Sequence, residues 1–457
     1  MHLAESLRIQ PNDVIAFVGG GGKTSALFRL ADELAARGKR VVATTTTHLG
    51  IPQIRNRAPL RFDPAPDFFA RVRAALNTPA PVLIVGADTA DGKVTGVPPE
   101  FIDTLAAHHL ADAIVYEADG ARGLPFKTPA PHEPVIAAAT TVLVPVIGIT
   151  ALGAPLDATH AHRAERIAAL AGARLGEPIT LAIAARVLTA PDGGLKHKPG
   201  SARAVVLINQ VETEPQFTAA RQLARLLLHR AEIQAVALAA LRAAPNPVHE
   251  TQRRVAAIIL AAGAGTRMQG HIKQLLAWRG KTLIENALDL ASRSQAHETL
   301  VVLGAHAEQI LPVVAGCAAR VVLNPGWARG HATSLRAGLD ALAPEISAAL
   351  FLNADQPLLT PAVLDAIQQR YFETDAAIIA AMFAGRRGNP VLFDRAHFAE
   401  LARLTGEQGG RELLARHPVT HVEFADARLG TDVDTLAEYA ALREQDQEGQ
   451  PDREQAN

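Results

Sequence analysis

The sequence predicts an α/β protein made of two doubly wound domains in tandem. Three observations carry that expectation. Short β-branched runs alternate with amphipathic helical stretches along the chain, the pattern of parallel strands covered on both faces. A polar, proline-bearing stretch, RAAPNPVHETQRR at 242–254, interrupts the alternation between two apolar runs. Each half opens with a strand that runs straight into a glycine-rich loop, GGGGKTS at 19–25 and AAGAGTR at 261–267.

In the first half the expected strands are VIAFV (14–18), RVVATT (40–45), PVLIVG (81–86), AIVYE (113–117), TVLVPV (141–146) and AVVLI (204–208). Helical segments such as KTSALFRLADELAARG and HRAERIAALAGA separate them. The uncharged stretch from Pro134 to Leu156 has the length of a membrane span. Pro134, Pro145 and Pro155 would break the helix that lipid demands, so a buried strand with flanking loops is expected there. The second series is VAAIILAAG (255–263), LVVLG (300–304), RVVLN (320–324), ALFLNAD (349–355), AAIIAAM (376–382) and HVEFAD (421–426). The domain bounds expected are 1–243 and 254–442. From 443 to 457 the chain is polar without apolar periodicity, and a disordered tail is expected.

Composition narrows the class. Hydrophobic residues at 48% and charged residues at 20% of 457 suit a soluble globular protein. Lys+Arg 45 against Asp+Glu 46, with 4% aromatics, provides no basic groove and few stacking platforms, so no nucleic acid partner is expected. One cysteine, Cys317, excludes an intramolecular disulfide framework and a thiolate-rich zinc site. The opening residues MHLAESLRIQPND lack the apolar core of a secretory signal; a cytoplasmic enzyme with no membrane partner is expected.

In the second half, Gly263 and Gly265 let backbone amides approach a bound anion, and Arg267 and Lys273 add positive charge where a triphosphate would lie. A dinucleotide fingerprint would need glycine at 268, where Met268 stands, so NAD is disfavoured. Asp355 falls at the carboxyl end of a buried strand, where open α/β sheets place ligands, and there it can hold Mg²⁺ against phosphate oxygens. A helix N-cap is its alternative role. Asp432 and Asp434 are candidates for a second metal ligand, although Thr435 with Glu438 fits a capping box that would make one of them helix punctuation.

LAAGAGTRM with Lys273 behind it, LNPGWARGHATSLRAGL, NADQP, RGNPVLF, GEQGGRELL and DVDT follow in order over residues 254–440. As a set they resemble the molybdenum cofactor cytidylyltransferases, within the wider MobA-like nucleotidyltransferases. The resemblance implies a Rossmann-like nucleotidyltransferase domain in which CTP and the terminal phosphate of molybdopterin give the cytosine dinucleotide cofactor plus pyrophosphate. It implies that Arg267, Lys273 and the loop Ala261, Ala262, Gly263, Gly265 and Thr266 hold the triphosphate, and that Asp355 positions Mg²⁺ with Asp432 or Asp434. It further implies that Asn324, Gly330 and Ser334 line the nucleotide pocket, and that Gly388, Asn389 and Pro390 face the pterin. LAAG at 260–263 and Gln356 resemble the cytidylyl branch, whereas guanylyl relatives usually read LAGG. One methyl group does not choose a base, so CTP against GTP stays open. Such a reaction opposes two anions, and its catalyst must neutralise charge and align the partners.

In the first half, Gly19, Gly20, Gly21 and Gly22 would wrap phosphates with amides, Lys23 would reach the β/γ-phosphates and Thr24 would ligate Mg²⁺. The strict P-loop asks for glycine at 17, which is Phe17, so this is a P-loop-like variant. Glu117 and Asp119 close a strand with the spacing of a Mg²⁺- or water-orienting pair. NQVE at 209–212 departs from a guanine-reading motif at Gln210 and Glu212, leaving ATP or GTP open. GGGGKTS, TTTTH (44–48), EADGARGLPFKTPAPHEPVI (117–136), IGITALGAPL with Arg163, and GLKHKPGSAR (194–203) look like the selenium-dependent molybdenum hydroxylase accessory family of YqeC type. That likeness implies NTP use during maturation of a molybdenum hydroxylase client, and adds Lys127, His132 and Glu133 to the site. Two other readings stand beside these: a cofactor-binding chaperone with regulatory nucleotide sites, and a guanylyl- or sugar-phosphate nucleotidyltransferase.

Overall fold

The structure, a computed structural model, describes residues 1–65, 67–243 and 245–448. The chain divides into two compact units, Met1–Gln252 and the chain from Arg253 onward.

The first unit is built on one sheet. Its strands in chain order are β1 (Asp13–Gly19), β2 (Val41–Thr45), β3 (Leu60–Arg61), β4 (Val82–Val85), β5 (Ala113–Glu117), β6 (Val142–Gly148), β7 (Arg203–Asn209), β8 (Ile233–Ala239) and β9 (Val248–Arg253). They lie side by side as β9-β8-β7-β6-β1-β5-β2-β4-β3, and every pairing from β8 to β3 is parallel. Continuous apolar strands follow from burial on both faces: in β1, Val14, Ala16 and Val18 enter one core while Ile15 and Phe17 enter the other. All seven residues of β6 are buried, which accounts for the uncharged stretch around it. Among the described residues no helix is long and apolar enough to cross a membrane.

The stretch 242–254, expected as a linker, carries the edge strand β9 and extends the first unit to Gln252. Its polar residues are held by partners far away in sequence. Met1 N donates to Val248 O at 2.8 Å, Ser6 and Thr251 share a hydroxyl bond of 2.7 Å, and Arg221 pairs with Glu250 at 2.9 Å. Buried polar side chains satisfied in this way make a strand without an apolar pattern.

The second unit holds β10 (Val255–Ala261), β11 (Glu298–Leu303), β12 (Arg320–Leu323), β13 (Ala348–Asn353), β14 (Ile378–Phe383), β15 (Arg386–Asp394) and β16 (Thr420–Phe424). Their order is β12-β11-β10-β13-β15-β14-β16. The parallel run β12-β11-β10-β13 reverses its winding between β10 and β13, so the loops leaving those two carboxyl ends diverge and open a crevice. The sheet is mixed rather than wholly parallel, because β15 runs antiparallel to both β13 and β14. A two-residue hairpin, Ala384 (φ 47°) and Gly385 (φ 79°), joins β14 to β15. Alanine in the first left-handed position lacks the Asn-Gly signature that marks such turns in a sequence. Gly388-Asn389-Pro390, which the resemblance would set facing the pterin, lies inside β15. Between Gly388, opposite Ala381, and Val391, opposite Ala380, Asn389 and Pro390 are passed over by the pairing. A bulge suits a proline that has no N–H to give the ladder.

The expected tail also begins too early. Helix Leu436–Glu448 continues past residue 443 and buries Leu442 against Met268, Trp278, Leu283 and Val433. Residues 449–457 of that expectation lie outside the described residues.

Candidate functional site

In the second unit the crevice between β10 and β13 forms a cavity of about 320 Å³. The end of β10 and the loop after it supply Ala261, Ala262, Gly263, Gly265, Thr266 and Arg267 to its wall; Lys273, Ser334, Asp355 and Asp434 join them from elsewhere. A Cβ on Gly263 would meet no protein atom within 4 Å, so the fold leaves that approach open, whereas Gly265 sits at φ 60° and turns the chain. Gln274, which sequence reasoning missed, clips this loop shut. Its Nε2 donates to Ala261 O and Gly263 O, both at 3.0 Å.

Charge converges on the cavity floor. Lys273 Nζ lies 2.5 Å from Asp355 Oδ2 and 3.0 Å from Asp434 Oδ1, and Arg267 Nη2 lies 2.9 Å from Asp434 Oδ2. Burial opposes the charge on Lys273, but Asp355 and Asp434 outweigh it and raise its affinity for the proton. Asp432 is pushed up to about 6, first by burial and then by repulsion from Asp355 and Asp434. Asp355 Oδ1 is buried without a hydrogen-bond partner among the described residues. Asp355 and Asp434 meet at Lys273, Arg267 backs Asp434, and one oxygen of Asp355 is left orphaned; such carboxylate oxygens suit a divalent cation held by oxygen ligands.

A second cavity of about 500 Å³ shares Leu260, His331 and Asn353 with the first. Phe351, Val391 and Phe393 give it an apolar wall, and Arg387, Arg411, Asn389 and Asp432 face it with polar groups. Pro390 is not among its lining residues. Asn324 and Gly330 line neither cavity. Asn324 Nδ2 donates to Thr333 Oγ1 and Ser334 Oγ at 2.9 and 3.0 Å, bracing the segment that carries Ser334. Gly330, at φ 111°, leaves a Cβ position 2.3 Å from the Gly406 backbone, so close packing of two loops requires glycine there. His331 went unnoticed in the sequence because a histidine opening a helix carries no pattern.

In the first unit the loop after β1 leads into helix α1 (Lys23–Ala36) beside a cleft of about 690 Å³. The glycines differ from expectation. The amides of Gly19, Gly20 and Gly21 already donate to Asp119, to Val146 O and to Leu124 O. Their side-chain positions press on backbone: a Cβ on Gly21 would lie 2.1 Å from Gly148 N. These three set the close approach of loop and sheet, and the amides left for an anion are those of Gly22 and the first turn of α1. Asn209 Nδ2 holds the loop by donating to Gly21 O at 2.7 Å.

Lys23 is 4% exposed, 3.5 Å from Glu117 Oε1 and 3.3 Å from Asp119 Oδ1. Thr24 Oγ1 donates to Glu117 Oε2 at 2.7 Å, and both residues line the cleft. Burial drives Glu117 upward, partly offset by Lys23. A hydroxyl touching a carboxylate in this way fits an oxygen-liganded cation. Asp119, expected as a second ligand, instead sits fully buried between Lys23 and Lys127, 2.9 Å from the latter, and does not line the cleft. Lys127 continues to Glu133 at 2.9 Å, and Glu133 accepts both Nη atoms of Arg163 at 2.7 and 3.0 Å. His132 takes no place in this chain of charges. Arg122, Gln210 and Arg242 reach the cleft wall from three separate loops; the first two fall within the quoted EADGARG and NQVE stretches, whereas Arg242 carries no motif.

Residues 15–165 match the family model described as YqeC protein. Over 197 residues, 43% of this chain and 75% of its relative, the sequence is 36% identical to YqeC of Escherichia coli. The chain belongs to the YqeC family. Residues 257–422 match the MobA-like NTP transferase domain. Nicotine blue oxidoreductase of Paenarthrobacter nicotinovorans is 31% identical over 196 residues, 41% of this chain and 96% of that protein. The crystal structure of Rv0371c with manganese from Mycobacterium tuberculosis superposes with TM-score 0.37 at 31% identity, covering 42% of this chain and 98% of that one. A YqeC domain is thus followed, in one chain, by a MobA-like NTP transferase domain.

Proposed function

We propose that the second unit transfers CMP from CTP to the terminal phosphate of molybdopterin, and that the first unit binds ATP or GTP in support of molybdenum hydroxylase maturation. The observation that carries the reading is the meeting of Lys273 and Arg267 with Asp355, Asp432 and Asp434 at the sheet's switch point. An oxygen of the acceptor phosphate attacks the α-phosphorus, the bond to the bridging oxygen of the β-phosphate breaks, and pyrophosphate leaves; no electrons are exchanged. Lys273 and Arg267 neutralise the triphosphate, the loop held by Gln274 positions it, and the adjoining cavity with Arg387 and Arg411 takes the acceptor. Asp355 with Asp432 and Asp434 would hold Mg²⁺, which when bound offsets charge on the phosphate oxygens. In the first unit Thr24 and Glu117 would hold the corresponding cation.

The redox activity named for the Paenarthrobacter relative is a second reading. The gathered carboxylates favour phosphate chemistry over it, since hydride transfer calls for no cation site. Pyrophosphate release is to be measured with each of the four nucleoside triphosphates, with molybdopterin, a sugar 1-phosphate or no acceptor. Release with CTP that requires molybdopterin and falls at least about 100-fold in Asp355→Asn is expected. Release with GTP instead, or with the sugar phosphate alone, replaces the substrate assignment. Oxidation of a nicotinamide cofactor with no pyrophosphate formed would replace the reaction.

A further inference from the structure

A third cluster of ligating side chains lies apart from both sites. His397 ends a single helical turn at Arg395–His397, Glu400 sits in the next turn at Phe398–Leu401, and His417 follows the short helix Arg411–Leu414. One ligand atom from each lies within 4.8 Å of the other two. His417 Nε2 is 2.8 Å and His397 Nδ1 is 3.8 Å from the same oxygen, Glu400 Oε2. The two imidazole centroids are 4.5 Å apart, with their planes tilted by 59°.

We propose that His397, Glu400 and His417 bind a transition-metal ion, zinc above all, through two imidazole nitrogens and one carboxylate oxygen. Tetrahedral ligation at zinc distances spaces ligand atoms by about 3.4 Å, between the two nitrogen–oxygen separations seen here, so small side-chain rotations bring the three into place. Glu400 Oε1 forms an ion pair with Arg416 Nη1 at 3.0 Å, which steadies the carboxylate on its other side. Two nitrogen donors select against magnesium and for a borderline ion such as zinc or cobalt, the reverse of the all-oxygen set around Asp355. The ion would fasten the two ends of the segment 401–416, from which Glu407, Gly409, Gly410 and Arg411 line the 500 Å³ cavity.

The test is a titration of the metal-stripped full-length chain with Co²⁺ in excess Mg²⁺, read by visible ligand-field absorption, followed by displacement with Zn²⁺. One equivalent is expected, retained in Asp355→Asn. His397→Gln and His417→Gln are each expected to weaken it at least about tenfold. Glu400→Gln, which keeps side-chain size, is the variant to use should an imidazole substitution disturb folding. Bands that persist in the His397→Gln/His417→Gln double variant, bands that vanish with Asp355→Asn, or no binding tighter than millimolar would each overturn the proposal.

Discussion

Single side chains decide how well the two cavities keep their shape. Gln274 satisfies two backbone carbonyls of the phosphate-side loop, and each such bond is worth about 1 kcal/mol. Gln274→Leu is therefore expected to raise KM for the nucleotide by about tenfold, more than it lowers kcat, in steady-state pyrophosphate assays. Glu133 gives the pH dependence. Burial alone would raise it, but the bonds from Arg163 and Lys127 hold it at about 2. Its folded value lies below the ordinary glutamate value of 4.5, so its stabilisation is complete above about pH 4.5 and is lost as pH falls towards 2. Melting of the first unit between pH 7 and pH 3 should show that loss in the parent chain and a shallower decline in Glu133→Gln.

Two glycine loops that look alike in the sequence are built for different purposes. In the loop after β1, Gly21 combines φ 81° with a side-chain position that strikes the Gly148 backbone. Gly21→Ala should cost the first unit more than about 2 kcal/mol, read from denaturant midpoints. In the loop after β10, Gly263 faces open space. Gly263→Ala should leave the denaturant midpoint unchanged and weaken nucleotide binding, as measured by calorimetry. Equal losses of stability in both variants would refute the distinction. Strand elements divided along similar lines. Central strands such as β1 and β10 were legible because burial on both faces leaves a continuous apolar run. The edge strand β9 and the hairpin partner β15 were not, because distant hydrogen bonds hold the first and an alanine-containing turn sets the second.

For the molecule as a whole, each sheet builds its own site from its own residues. Lys23 is enclosed by Glu117 and Asp119, and its removal leaves two buried carboxylates short of a partner, which typically costs about 3–5 kcal/mol. Lys23→Ala is expected to lower the melting of the first unit and abolish its NTP binding, while pyrophosphate release by the second unit persists. Calorimetry of the full chain, run beside the release assay, checks both outcomes; loss of release would show that the two activities are coupled.

The sequence by itself determined that two α/β units follow one another, that each carries a glycine-rich loop at its first strand, and that Lys23, Lys273 and Asp355 are the charges to watch. Those are short-range facts, written in runs of a few residues. The tertiary structure alone decided which distant groups face one another. It joined Lys273 to Asp355 and Asp434, withdrew Asp119 into a buried ion-pair chain, turned Asn324 and Gly330 into struts, and brought Gln274, His331 and Arg122 to cavity walls. The reason is physical: electrostatic and hydrogen-bond energies depend on separation in space, and only the path of the chain through its sheet sets that separation for residues tens of positions apart.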